Sequence, residues 1–122
     1  MRYAKRIVWC CSAIRIAWRE TSFKVGVIVC TAGIVIGLVA GLGMTRLVVL
    51  IAVALLGWGL EIANSSIETL LDIVHPKYSS KVKVVKDAFS AVPIFTYSAY
   101  VICWLILVAP TLYQRLAEGM GK

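Results

Sequence analysis

Of the 122 residues, 61% are hydrophobic and 16% are charged, an apolar content above the roughly 45–50% of a soluble domain, so lipid is the natural solvent of this chain. The length admits one domain: three or four spans of about 20 residues would consume most of it, and no separate soluble domain fits. The formal net charge is +7, but the 13 basic residues are distributed as membrane topology requires and not on one interleaved basic-aromatic face, which argues against a nucleic-acid partner.

Cys10, Cys11, Cys30 and Cys103 show no paired C-x-x-C spacing, and Cys30 and Cys103 sit in apolar runs where cysteine behaves as a small hydrophobe. Neither a disulfide framework nor a zinc site is expected. The start, MRYAKRIVWCCSAIRIAWRE, scatters basic residues as far as Arg15 and Arg19, so it lacks the charged-then-apolar order of a cleaved leader and reads as part of the mature protein.

From about residue 5 to 24, Ile7, Cys11, Ile14 and Trp18 recur at helical spacing, while Lys5, Ser12, Arg15 and Arg19 gather on another side. This pattern predicts a basic amphipathic helix lying in the membrane interface. Between Val25 and Leu60 the only charged residue is Arg46, and the GLGMTR stretch around it divides the run into spans of about 25–42 and 46–72, a tight hairpin. Gly33, Gly37 and Gly41 repeat at every fourth position, a face on which another backbone can approach closely. No Lys-Ser/Thr follows them, so they are packing positions and not a phosphate loop. The second span runs on through GLEIANSSIETLLDIV to a break at Pro76. After the basic connection HPKYSSKVKVVKD, a third span covers about 88–109 with Pro93 inside it, and the tail TLYQRLAEGMGK is short and polar.

Six Lys and Arg residues lie in the N-terminal segment and four in the second connection, against one at the first turn and two in the tail. The positive-inside rule then places the N-terminus and the second connection in the cytoplasm and the C-terminus outside, with an odd number of spans.

Five of the six acidic residues, Glu20, Glu61, Glu68, Asp72 and Asp87, lie in or beside those two cytoplasmic segments. On the second span, Glu61, Asn64, Ser65, Glu68 and Asp72 fall at i, i+3, i+4, i+7 and i+11, one stripe at about 100° per residue. Carboxylates at a bilayer boundary are expensive and mark a functional site by default. A single three-helix subunit has little interior to hide them, so partner copies are expected to cover the stripe. Carboxylate oxygens suit Mg²⁺, held by one or two carboxylates plus substrate phosphates; phosphoryl transfer also needs a cation near the phosphate and a base near the attacking hydroxyl. Lys86, next to Asp87, is a candidate for that cation. Glu61 follows the apolar run and lies deepest in the stripe, with Glu68 roughly 10 Å farther along the helix.

The string E-x-x-N-S-x-I-E-x-x-x-D, formed by Glu61, Asn64, Ser65, Ile67, Glu68 and Asp72 and followed by Lys86-Asp87 and Ser90-Ala91, resembles the signature of the prokaryotic diacylglycerol kinase family. The likeness extends to the basic start, to Glu20 ahead of Phe23, to the three spans and to a loop tyrosine, Tyr78. The resemblance implies an all-α membrane protein of three transmembrane helices and a surface helix, a homotrimer with active sites shared between neighbours, seated in the bacterial inner membrane. It implies transfer of the γ-phosphoryl group of ATP, with Mg²⁺, to a membrane lipid, diacylglycerol or in other members undecaprenol. By the same resemblance Glu61 is the general base and Glu20 and Glu68 the ligands of Mg²⁺ and the nucleotide phosphates. Lys86 and Asp87 contact nucleotide, Lys77, Tyr78 and Ser79 form a loop that touches it, Asn64 and Asp72 support the site, and Ser90 lines the lipid site. Phe89 and Pro93 stand where family members commonly have small residues, and Cys10-Cys11 is an unusual pair.

Two readings of other classes compete. A small proton-coupled transporter is also short and apolar, but it needs a carboxylate near the midplane, whereas these collect at one helix end beside Lys86. A purely structural helical hairpin leaves the acidic stripe without a role.

Overall fold

A computed structural model of the chain describes residues 2–121. Five helices follow one another: α1 (Arg2–Ala17), α2 (Thr21–Val39), α3 (Met44–Val74), α4 (Ser80–Leu107) and α5 (Ala109–Met120). Among the described residues three helical stretches are long and apolar enough to cross a membrane: Thr21–Val39, Met44–Val74 and Ser80–Met120. These match the three expected spans in number and order. All four cysteines are free, Cys30 buried and Cys10 and Cys11 exposed.

The bounds differ from the sequence expectation at three places. The first helix ends at Ala17 and not near residue 24, and Glu20, in extended backbone (φ −84°, ψ 131°), caps the start of α2. The third long helix starts at Ser80, so the loop shrinks to 75–79 and most of its lysines become helical. The tail is helical too: α4 breaks only at Val108, because Pro110 lacks the N–H needed to continue the ladder and sits where a new helix tolerates it, in the first turn of α5. Pro93, by contrast, leaves α4 continuous.

Helices α3 and α4 form the main packed pair, with α2 against both and α1 laid on α3. At one end of this bundle, Trp9, Ser12, Ala13 and Ile16 of α1 meet Ile62, Ser65, Ser66 and Thr69 of α3. The core gathers Cys30, Leu42, Leu50, Ala54, Tyr100 and Val108. Most other apolar side chains face outward, as expected where lipid is the solvent.

Gly26 and Gly33 on α2 receive aromatic side chains of α4 and not a backbone, while Gly37 meets the side chains of Leu42 and Val108. A Cβ at Gly26 would lie 1.9 Å from the Tyr97 hydroxyl, and one at Gly33 would lie 2.6 Å from that of Tyr100 and 3.1 Å from the Trp104 ring. The close approach lets the Tyr100 hydroxyl donate to the Cys30 carbonyl at 2.7 Å and the Trp104 indole donate to the Gly33 carbonyl at 3.1 Å. Gly41 does a different job. Its φ of +80° makes the α2–α3 turn, which the Arg115 guanidinium of α5 covers.

Gly33→Ala should therefore push Tyr100 off the Cys30 carbonyl, at a cost of about 1–3 kcal/mol, and lower the unfolding midpoint in detergent micelles. Gly59→Ala, where nothing lies within 4 Å, should leave that midpoint unchanged or raise it slightly. Equal behaviour of the two variants would contradict the α2–α4 packing described.

Candidate functional site

The acidic stripe of α3 divides as the helix leaves the apolar zone. Glu61, only 1% exposed, is enclosed within a single chain. The Ser22 hydroxyl of α2 donates to its Oε1 at 2.7 Å, and the Tyr97 hydroxyl of α4 donates to its Oε2. Asn64 is buried as well, at 6% exposure. The expectation that partner copies are needed to hide this part of the stripe is thus corrected: α2 and α4 cover it, because Gly26 admits Tyr97 and the break before Thr21 brings Ser22 over α3.

Beside Glu61 lies a cavity of about 720 Å³ between α2 and α4, crossed at its rim by α3. Glu20, Ser22, Asn64, Glu68 and Ser90 supply its polar lining, and Val25, Val29, Pro93, Ile94 and Val101 its apolar wall, with Tyr97 and Tyr100 between. Asn64 stands at the rim, with its Oδ1 buried and without a hydrogen-bond partner. Glu20, in the connection between α1 and α2, and Glu68, on α3, reach this one cavity, the extended backbone at Glu20 leaving its side chain uncommitted to capping.

That donor set fits Mg²⁺. Two carboxylates lining a cavity wide enough for phosphate oxygens and water are what this ion usually takes from a protein. Among the described residues no group of three His, Cys, Asp or Glu side chains forms a closed all-protein cage, which a metal shared with substrate phosphates does not need.

Other candidates gather elsewhere. Asp72, Lys77, Tyr78, Ser79, Lys86 and Asp87 line a second, open basin of about 450 Å³ at the 75–79 loop, together with His75, Pro76, Val82 and Lys83. The Lys86 ammonium pairs with the Asp72 carboxylate across α3 and α4. Asp72 therefore neutralises a basin cation and has no place on the cavity rim. Ser65 turns to the α1 side, where its buried hydroxyl has no partner.

Sequence reasoning missed Ser22 and Tyr97, both of which touch Glu61, and His75 and Lys83 in the basin. Gly26 carried a signal for Tyr97, since it precedes Gly33 by the same seven residues that separate Tyr97 from Trp104.

No curated relative matches the chain. The family model for prokaryotic diacylglycerol kinase matches residues 9–108, a stretch that begins in α1, takes in every residue of both cavities and ends at the Val108 break. Three membrane-length helices with acidic and basic groups collected at one end agree with that match, and the chain belongs to the prokaryotic diacylglycerol kinase family.

Proposed function

We propose that the chain transfers the γ-phosphoryl group of MgATP to the primary hydroxyl of diacylglycerol, giving phosphatidic acid at the membrane interface. Family membership supports a lipid kinase. The observation that carries the finer reading is the cavity that joins a carboxylate rim, Glu20 and Glu68, to an apolar wall open between α2 and α4, with the buried Glu61 beside it. A water-borne phosphate donor and a membrane-borne alcohol need such a two-sided site, since neither can leave its own phase without a large solvation cost.

In this reading Glu20 and Glu68 hold Mg²⁺, which when bound neutralises charge on the nucleotide phosphates. Asn64, at the cavity rim, supports the site. The basin of Lys77, Tyr78, Ser79, Lys83, Lys86 and Asp87 receives the rest of the nucleotide, with Lys86 exchanging Asp72 for phosphate. Glu61 takes up the proton of the acceptor hydroxyl as its oxygen attacks the γ-phosphorus, and ADP leaves. Three copies assemble into a trimer in the bacterial inner membrane, with the N-terminus and the 75–79 loop on the cytoplasmic side.

The direct experiment offers diacylglycerol and undecaprenol separately to purified protein in mixed micelles with labelled ATP. Phosphatidic acid should be the faster product, and preferential labelling of undecaprenol would overturn the choice of acceptor. Glu61→Gln keeps size and hydrogen bonding but removes basicity, so kcat should fall by about 10²–10⁴ with little change in either KM; a near-normal kcat would remove Glu61 from the mechanism. Glu20→Gln and Glu68→Gln should each raise the Mg²⁺ needed for half-maximal rate by about tenfold or more, and a variant that matches wild type at low Mg²⁺ is not a ligand. Native mass measurement in detergent should give three copies, whereas a fully active monomer would exclude a required trimer.

A further inference from the structure

We infer that Tyr97 relays the proton between the acceptor hydroxyl and Glu61, so that the base works through a phenol and does not itself touch the lipid. The inference rests on the reading of Glu61 as the base. Its ground is geometric. Glu61 is 1% exposed and both of its oxygens accept a hydrogen bond, while the cavity is lined by the two hydroxyls that donate to it. An incoming alcohol in that cavity therefore meets a hydroxyl before it can meet the carboxylate.

Of the two hydroxyls, Tyr97 suits the relay. It lies among Val25, Val29, Ile94 and Val101 on the apolar wall, where an alcohol anchored in lipid arrives. Ser22 lies two residues from Glu20 at the polar rim and anchors the other carboxylate oxygen. A phenol hydroxyl donates one hydrogen bond and still accepts another, which is what a relay requires. Its place is also specifically provided for: a Cβ at position 26 would lie 1.9 Å from the Tyr97 oxygen and 2.3 Å from the ring carbon that bears it, so only glycine there lets the hydroxyl reach Glu61.

The acceptor O–H gives its proton to the Tyr97 oxygen while the Tyr97 proton passes to Glu61 Oε2. The acceptor oxygen bonds to the γ-phosphorus, and the bond from that phosphorus to the β-bridging oxygen breaks, its electron pair leaving with ADP. Return of the proton from Glu61 through the same hydroxyl to solvent completes the cycle, with one proton released per phosphoryl group moved.

Tyr97→Phe keeps the ring against Gly26 and removes only the hydroxyl. Its kcat should fall by about 10²–10⁴ with both KM values near wild type, and the Tyr97→Phe/Glu61→Gln double variant should be no slower than Glu61→Gln alone, as for groups acting in one unit. A Tyr97→Phe enzyme as fast as wild type or faster, alongside a slow Glu61→Gln, would overturn the relay and leave the base reading intact. A normal Glu61→Gln would overturn both. Should Tyr97→Phe fail to assemble, the wild-type enzyme decides under single-turnover conditions: a curved dependence of rate on the D₂O fraction is expected for two protons in flight, and a straight or flat one overturns the relay.

Discussion

The fold turns on one buried carboxylate. Placing Glu61 at the edge of an apolar bundle would cost several kcal/mol if its oxygens were left unpaired, and the chain meets that cost with one hydroxyl from each neighbouring helix, Ser22 of α2 and Tyr97 of α4. These bonds tie three helices together at one level. They also demand that α2 come close enough for Tyr97 to pass, which Gly26 permits. Farther along the same pair of helices, Tyr100 on the Cys30 carbonyl and Trp104 on the Gly33 carbonyl repeat the device. In a lipid environment apolar contact does little to choose one helix face over another, so this ladder of polar aromatics sets the register of α4 on α2.

The same constraint separates the acidic residues by depth. Glu61 is deep enough to require protein donors, and Glu68, roughly two turns later on α3, shares a cavity with Glu20. Asp72 lies past the rim, 66% exposed, and pairs with Lys86 in a setting where an ion pair contributes little to stability. Its effect is on charge: the pair offsets the Lys86 cation at the basin.

How much of this was legible in the sequence follows from which signals are periodic. The three long helices were, since run length and the single interior Arg46 define them without reference to packing. The end of α1 was not, because its break depends on Glu20 adopting extended backbone within a stretch whose composition hardly changes. The tail helix was hidden by its polar composition. Within the site, Asn64 and Glu68 declared themselves by spacing on one helix, while Ser22 and Tyr97 stand beside other hydroxyls, Thr21 and Thr96 and Ser98, with no spacing that singles them out. Their role appears only once the facing helices are known. The repeated glycines were recognised as packing positions, but Gly33 receives Tyr100 and Trp104, Gly37 meets Leu42 and Val108, and Gly41 serves the turn.

A kinase that acts on a lipid must bring together reactants from two phases, and the cavity of this chain has two unlike ends, one polar and one apolar. At the rim stand the carboxylates of Glu20 and Glu68, with Asn64 beside them. The wall below is built from valine, isoleucine and proline of α2 and α4, and it continues past Tyr100 into a second groove lined by Ala32, Gly33, Ile36 and Trp104. In the proposed reaction, an acceptor hydroxyl carried on an apolar chain would lie along that groove and reach the level of Tyr97 and Glu61. Restricting the acceptor to one track in this way would lower the entropy lost on reaching the phosphate.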